Sequence, residues 1–143
     1  MTRAVWWLRA SYRTGAVVDA AMLVPMLSPR VGAVLLGLDA FEPGPAYRYA
    51  MGLGAALMLG WTCLLLWADR KPMERRDVLL LTVCPVITGL AAAGAYAVGS
   101  GLVAPAHMVP TWAMQAALVV LFLASWVGAR RAERAETAGP IGD

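Results

Sequence analysis

The chain has 143 residues, 60% of them apolar and 15% charged, against roughly 45–50% and 25% in an ordinary soluble domain. The charges fall in short clusters between long uncharged runs, and a soluble domain of this size has too little interior to hide such runs. The net charge of +3 sits where apolar runs end, which is a pattern of membrane topology and calls for no nucleic-acid partner. Two cysteines and one histidine are too few for a disulfide framework or a zinc site.

The first helix is predicted over about 5–27. Arg3, Arg9 and Arg13 precede an apolar stretch, as in a signal peptide. Asp19 interrupts that stretch and no small-residue cleavage pattern follows, so an uncleaved span is expected. Ser28-Pro29 supplies an N-cap serine and a first-turn proline, and the residue before a proline avoids helical geometry. These signals split off a short outer helix over 29–38, with a single kinked span from Thr14 to Leu38 as the alternative. Ten residues reach only about 15 Å, so this piece lies in the interface, re-enters, or packs on the outer ends of the bundle. The loop from Asp39 to Pro45 is rich in helix breakers.

Three uncharged runs follow, Tyr49 to Ala68, Val78 to Val98 and Val109 to Ala129. Each meets the ~20 residues needed to cross hydrocarbon. They predict helices over 47–68, 72–99 and 109–132. Lys71-Pro72 opens the third, with Glu74 and Asp77 in its first turn, where the helix dipole favours negative charge. Residues 138–143 read as a disordered end. The fold class is therefore an all-α integral membrane protein, a four-transmembrane-helix bundle forming one domain over 1–137.

Basic residues set the orientation. The N-terminus, the loop with Arg70, Lys71, Arg75 and Arg76, and the tail with Arg130, Arg131 and Arg134 fall on one side; the other holds Arg30 and Arg48. The positive-inside rule puts both termini in the cytoplasm. Trp67 and Trp126 near the inner ends, and Tyr47, Tyr49 and Trp112 near the outer ends, fit aromatic belts. The abundance of Ala, Gly, Val and Arg is compatible with a GC-rich bacterium, so the expected location is a bacterial inner membrane.

Asp19 is the most informative residue. It lies about 13 Å into the first span, a depth where an ionised carboxylate is costly, so that such residues usually face the bundle interior and often mark an ion, proton or ligand site. The competing reading is a hydrogen-bonded tie from Asp19 to Thr88, Tyr96 or Gln115. Asp19, Gln115 and Tyr96 are thus the candidates for a ligand or proton site. Pro25 frees the carbonyl of Ala21 and adds a second polar group on the same helix. In the outer loops Glu42, Arg48 and His107, with Asp39 and Arg30, either form a pocket or salt-bridge the short helix to the bundle. The adjacent pair His107-Met108 cannot supply opposite axial ligands, so no metal is expected. Arg70, Lys71, Arg75 and Arg76 are candidates for docking lipid headgroups or a cytoplasmic partner. Cys63 and Cys84 fall at similar depth on neighbouring helices and are expected to be reduced, buried fillers. Small residues line the second and third spans, Gly52, Gly54, Ala56 and Gly60 on one, Gly89, Ala93, Ala95 and Gly99 on the other. They permit close helix packing within the chain or between copies.

The outline of four spans, both termini inside and a broken segment after the first span resembles several small bacterial membrane families, DoxX-like proteins among them. It is a resemblance of outline without a motif, so no functional residue is transferred. No catalytic or cofactor motif is present. The leading expectation is a non-enzymatic oligomeric or accessory subunit of a membrane complex, its partners the bilayer and other copies or subunits. The alternative is a small-solute or proton-linked transporter or ligand-binding protein that uses Asp19. An enzyme acting on a lipid or quinone at the outer loop is a third reading.

Overall fold

The computed structural model describes residues 2–38 and 41–137, and the described residues are helical with no strand. The order is α1 (Arg3–Leu27), α2 (Pro29–Leu36), α3 (Pro45–Asp69), α4 (Asp77–Leu81), a π-helical stretch (Thr82–Ile87), α5 (Thr88–Gly99) and α6 (Pro105–Thr137). Three helices are long and apolar enough to cross a membrane: Pro45–Asp69, the continuous Asp77–Gly99, and Pro105–Ala135. α1 and α2 meet the same test together, as a pair bent by 104°. Three to four spans are therefore available, and the predicted tail 138–143 and Asp39 lie outside the described residues.

The break after α1 falls at Ser28, whose extended backbone (φ −112°, ψ 97°) ends one helix and precedes Pro29 at the start of the next. The pair is thus either one sharply broken span or a span followed by a re-entrant turn. α2 stops at Leu36, two residues earlier than expected, because Gly37 turns left-handed at φ 64°. The Leu38 N–H then bonds to the Ala33 carbonyl at 2.9 Å and the Gly37 N–H to the Val34 carbonyl at 3.3 Å, satisfying the last turn. α2 folds back so closely that a Cβ at Gly32 would stand 2.9 Å from the Pro25 carbonyl oxygen.

α1 packs chiefly on α3 and next on α6. The seam is legible as spacing: Leu8, Tyr12, Ala16 on α1, Thr62, Leu65 and Ala68 on α3, and Met108, Gln115, Phe122 and Ala129 on α6 are buried. On α6 these recur every seventh residue, which keeps one stripe facing its neighbours. Ser11 and Ser125 hydroxyls meet across α1 and α6 at 2.8 Å.

Among the described residues, Pro25, Pro85 and Pro110 lie inside helices. Pro85 lacks the N–H that an α-helix needs and its ring crowds the preceding turn; the chain takes the wider π register over Thr82–Ile87 around it. Thr82 donates its hydroxyl to the Val78 carbonyl at 2.8 Å and accepts the Trp61 indole N–H at 3.2 Å. Pro110 sits in the second turn of α6, which starts at Pro105, four residues before the expected 109.

The loop at 70–76 departs from expectation. The helix predicted from 72 begins at Asp77, because the preceding residues form turns held by their own side chains. Tyr12 donates its hydroxyl to the Arg75 carbonyl at 2.9 Å, and the Arg75 guanidinium stacks 3.4 Å over the Trp67 ring while donating to the Trp67 carbonyl. Arg13 pairs with Asp69 at 3.1 Å, and Arg76 with Glu133 at 2.7 Å.

Candidate functional site

The packing of α1, α3, the π stretch and α6 leaves an inner cavity of about 230 Å³. α1 contributes Gly15, Asp19, Met22 and Met26, and α3 contributes Met58. The π stretch contributes Thr82, Val86 and Ile87, while α6 supplies Met108, Thr111, Met114, Gln115, Leu118 and Phe122. A second cavity of about 350 Å³ shares Met22, Met26, Thr111 and Met114 with it and continues toward α2, Tyr47, Met51 and His107. The two share part of their walls, with Asp19 lining the first and His107 the second.

Each element is placed by local chemistry. Gly15 lets Phe122 approach, since a Cβ there would be 2.9 Å from Phe122 Cζ. Gly54 on α3 makes the same room for the Met26 methyl, at 2.6 Å from where its Cβ would stand. The wider π register aligns Thr82, Val86 and Ile87 along the cavity wall, and Trp61 holds Thr82 from behind. His107 lies against Gly37, so the left-handed turn that ends α2 also walls the mouth.

The lining is almost wholly apolar, with six of the chain's eight methionines (Met22, Met26, Met51, Met58, Met108 and Met114) on the two cavities. Methionine side chains are flexible and polarisable, and surfaces rich in them adapt to ligands of varied shape. Against this wall two polar groups stand out. Gln115 is 8% exposed, and its Oε1 is buried without a hydrogen-bond partner. Asp19 is half-buried and makes no hydrogen bond or ion pair with any described residue. No arginine or lysine lines either cavity. A buried polar atom without a partner costs about 1–3 kcal/mol, so in Gln115 Oε1 the cavity presents a buried acceptor that the protein itself does not satisfy.

The sequence-predicted candidates divide. Asp19 and Gln115 come together here; Tyr96 does not, being 78% exposed on the far side of α5. Thr88 is exposed as well, so Asp19 ties to neither. Glu42, Arg48 and Arg30 share a shallow outer cleft with Phe41, Pro29 and Pro43, without an ion pair among them. The short helix meets the bundle by other means, among them the approach of Gly32 to the Pro25 carbonyl and of Gly37, just after it, to His107. His107 belongs to the cavity mouth, apart from Glu42 and Arg48.

Among the candidates in the 70–76 loop, Arg75 is folded on Trp67, Arg76 on Glu133, and Lys71 pairs with Glu74 at 3.0 Å. Arg70 is exposed and makes no ion pair with a described residue. Cys63 and Cys84 are free, as expected, but exposed on outward helix faces instead of buried. The outward placement follows from the inner stripe of α3 being taken by Ala55, Thr62 and Leu65. Sequence reasoning missed the methionines; the signal available was their spacing, Met22/Met26 and Met51/Met58 falling on one face of each helix.

Comparison with protein-family models, with curated proteins and with solved structures finds no match to this chain.

Proposed function

We propose that this chain is a non-enzymatic, four-span integral membrane protein that binds a small, mainly apolar ligand in the cavity between α1, α3, the π stretch and α6. The observation that carries the reading is the convergence of Asp19 and Gln115, from opposite ends of the sequence, on one methionine-lined cavity. Ligand sites are concave and mostly apolar, with few polar groups that fix orientation, and an ionisable residue within a span is by default a functional site. The bent α1–α2 pair supplies the fourth span, with both termini on the cytoplasmic side and the His107 mouth facing the opposite leaflet of a bacterial inner membrane. That arrangement follows from the basic residues at the N-terminus, the 70–76 loop and the tail.

Native mass spectrometry of the protein released gently from its membrane tests the reading. Wild type is expected to carry a co-purified small molecule, and Met114→Trp, which fills both cavities, to lose it while keeping its thermal midpoint. A Met114→Trp protein that retains the same adduct would place the ligand elsewhere and end this reading.

A second property has its own support. Cβ atoms at Gly52, Gly60, Gly89 and Gly99 would meet nothing within 4 Å, so the small-residue faces of α3 and α5 are not consumed within the chain. Close packing against another copy or another membrane subunit is the role such faces serve. Binding and self-association are compatible, because the cavity faces inward and these glycines outward.

A further inference from the structure

We propose that the ligand is a lipophilic ammonium, a primary or secondary amine on an alkyl or aryl body, whose head sits between Asp19 and Gln115. The inference rests on the ligand-binding reading above and names the class of ligand.

The unmet needs of the cavity select the class. Gln115 Oε1 is buried without a donor, and Asp19 has no partner among the described residues. Gln115 Oε1 and an ionised Asp19 are both acceptors, which a donating ligand would satisfy. A carboxylate facing an apolar cavity without arginine or lysine also lacks a countercharge; in a low-dielectric setting an unpaired charge is far costlier than a paired one. One group answers both needs, a protonated amine, which brings positive charge and two or three N–H donors in a compact head. An aliphatic amine is protonated at neutral pH, its pKa being near the ~10.4 of lysine.

The rest of the wall suits such a molecule. Phe122 offers an aromatic face and Met22, Met58 and Met114 offer polarisable sulfur to the methylenes and the charge. The inner cavity, at about 230 Å³, falls below the ~300 Å³ usual for a whole drug-sized ligand. The second cavity, at about 350 Å³, gives the tail its room. A head at Asp19 with an apolar tail running toward Leu35, Leu36 and Met51 uses both. Neither an anionic lipid headgroup nor a free carboxylate fits, because each would face Asp19 with like charge.

The test uses the full-length protein in lipid nanodiscs, titrated calorimetrically with n-decylammonium, decyltrimethylammonium and 1-decanol, with empty nanodiscs as the baseline for partitioning. Saturable binding of decylammonium is expected, at least tenfold tighter than decanol. Decyltrimethylammonium, charged but without N–H, should fall between. Asp19→Asn should weaken decylammonium at least tenfold and leave decanol unchanged, Asp19→Glu should restore most of the affinity, and Gln115→Leu should weaken it several-fold. The comparison of the three probes on wild type needs no variant, so it stands even if Asp19→Asn does not fold. Decanol binding as tightly as decylammonium, blocked by Met114→Trp and indifferent to Asp19→Asn, would overturn the ammonium class and keep the ligand site. No saturable binding of any probe, together with no co-purified adduct, would overturn both.

Discussion

Tyr12, fully buried on α1, donates its hydroxyl to the backbone carbonyl of Arg75 at 2.9 Å, fastening the first helix to the loop that joins the second and third spans. The carbonyl belongs to the same residue whose guanidinium lies on Trp67, so one residue is held by α1 through its backbone and by α3 through its side chain. The turns at 70–76 owe their shape to this double hold, and α4 starts at Asp77 because the loop is occupied until then.

Tyr12→Phe removes the hydroxyl and keeps the ring. The expected cost is about 1 kcal/mol, the net worth of an ordinary intramolecular hydrogen bond. Tyr12→Ala also empties a buried ring site and should cost about 3–5 kcal/mol by analogy with other aromatic truncations. Denaturant unfolding in detergent measures both, and limited proteolysis after Arg70, Arg75 or Arg76 should accelerate in Tyr12→Phe. Unchanged unfolding and unchanged cleavage would show that the loop keeps its shape without α1.

Gly37→Ala should loosen the mouth of the cavity. The left-handed backbone at φ 64° disfavours any Cβ, at a cost of roughly 1–2 kcal/mol, and the new methyl runs into the His107 imidazole. The second part of the penalty depends on that ring. Paired with His107→Ala, the substitution should therefore cost less than the sum of the two single changes, the mark of residues in contact. Strict additivity of the thermal midpoints would mean that the ring is not what the methyl meets.

Orientation has a direct check. Reporter fusions after Lys71 and at the C-terminus should read cytoplasmic, and fusions after Gly44 and Ala106 periplasmic. A cytoplasmic reading at Gly44 with a periplasmic one at Lys71 would invert the protein and turn the His107 mouth to the inner leaflet. Equal readings on the two sides of α3 would remove it as a span.

How much of this was legible in the sequence differs from residue to residue. The three uncharged runs identified Pro45–Asp69, Asp77–Gly99 and Pro105–Ala135 to within a few residues, since transfer into hydrocarbon is additive along a stretch of chain. Ser28-Pro29 marked the break after α1, because capping and the missing proline N–H act within a few bonds. Asp19 was conspicuous for the same reason: a carboxylate in an apolar run is anomalous whatever lies around it. The 72–76 start of the third span was misread, because Tyr12 and Trp67, which hold that loop, are distant in sequence.

What only the tertiary structure decided is which faces turn inward. In water a helix advertises its buried face, since the other face must be polar. A helix in an apolar solvent can be apolar all round, and no such contrast is written into it. Asp19 and Gln115 therefore line one cavity while Tyr96, equally polar on paper, is exposed. Cys63 and Cys84 turned outward for the same reason. Six methionines that look like ordinary filler on three separate helices came to line two adjoining cavities. The sequence by itself located the three long apolar helices and the break at Ser28-Pro29, because those are local free energies. Which residues share the cavity was settled by packing alone, by the room Gly15 and Gly54 leave for Phe122 and Met26 and by the π turn that Pro85 induces.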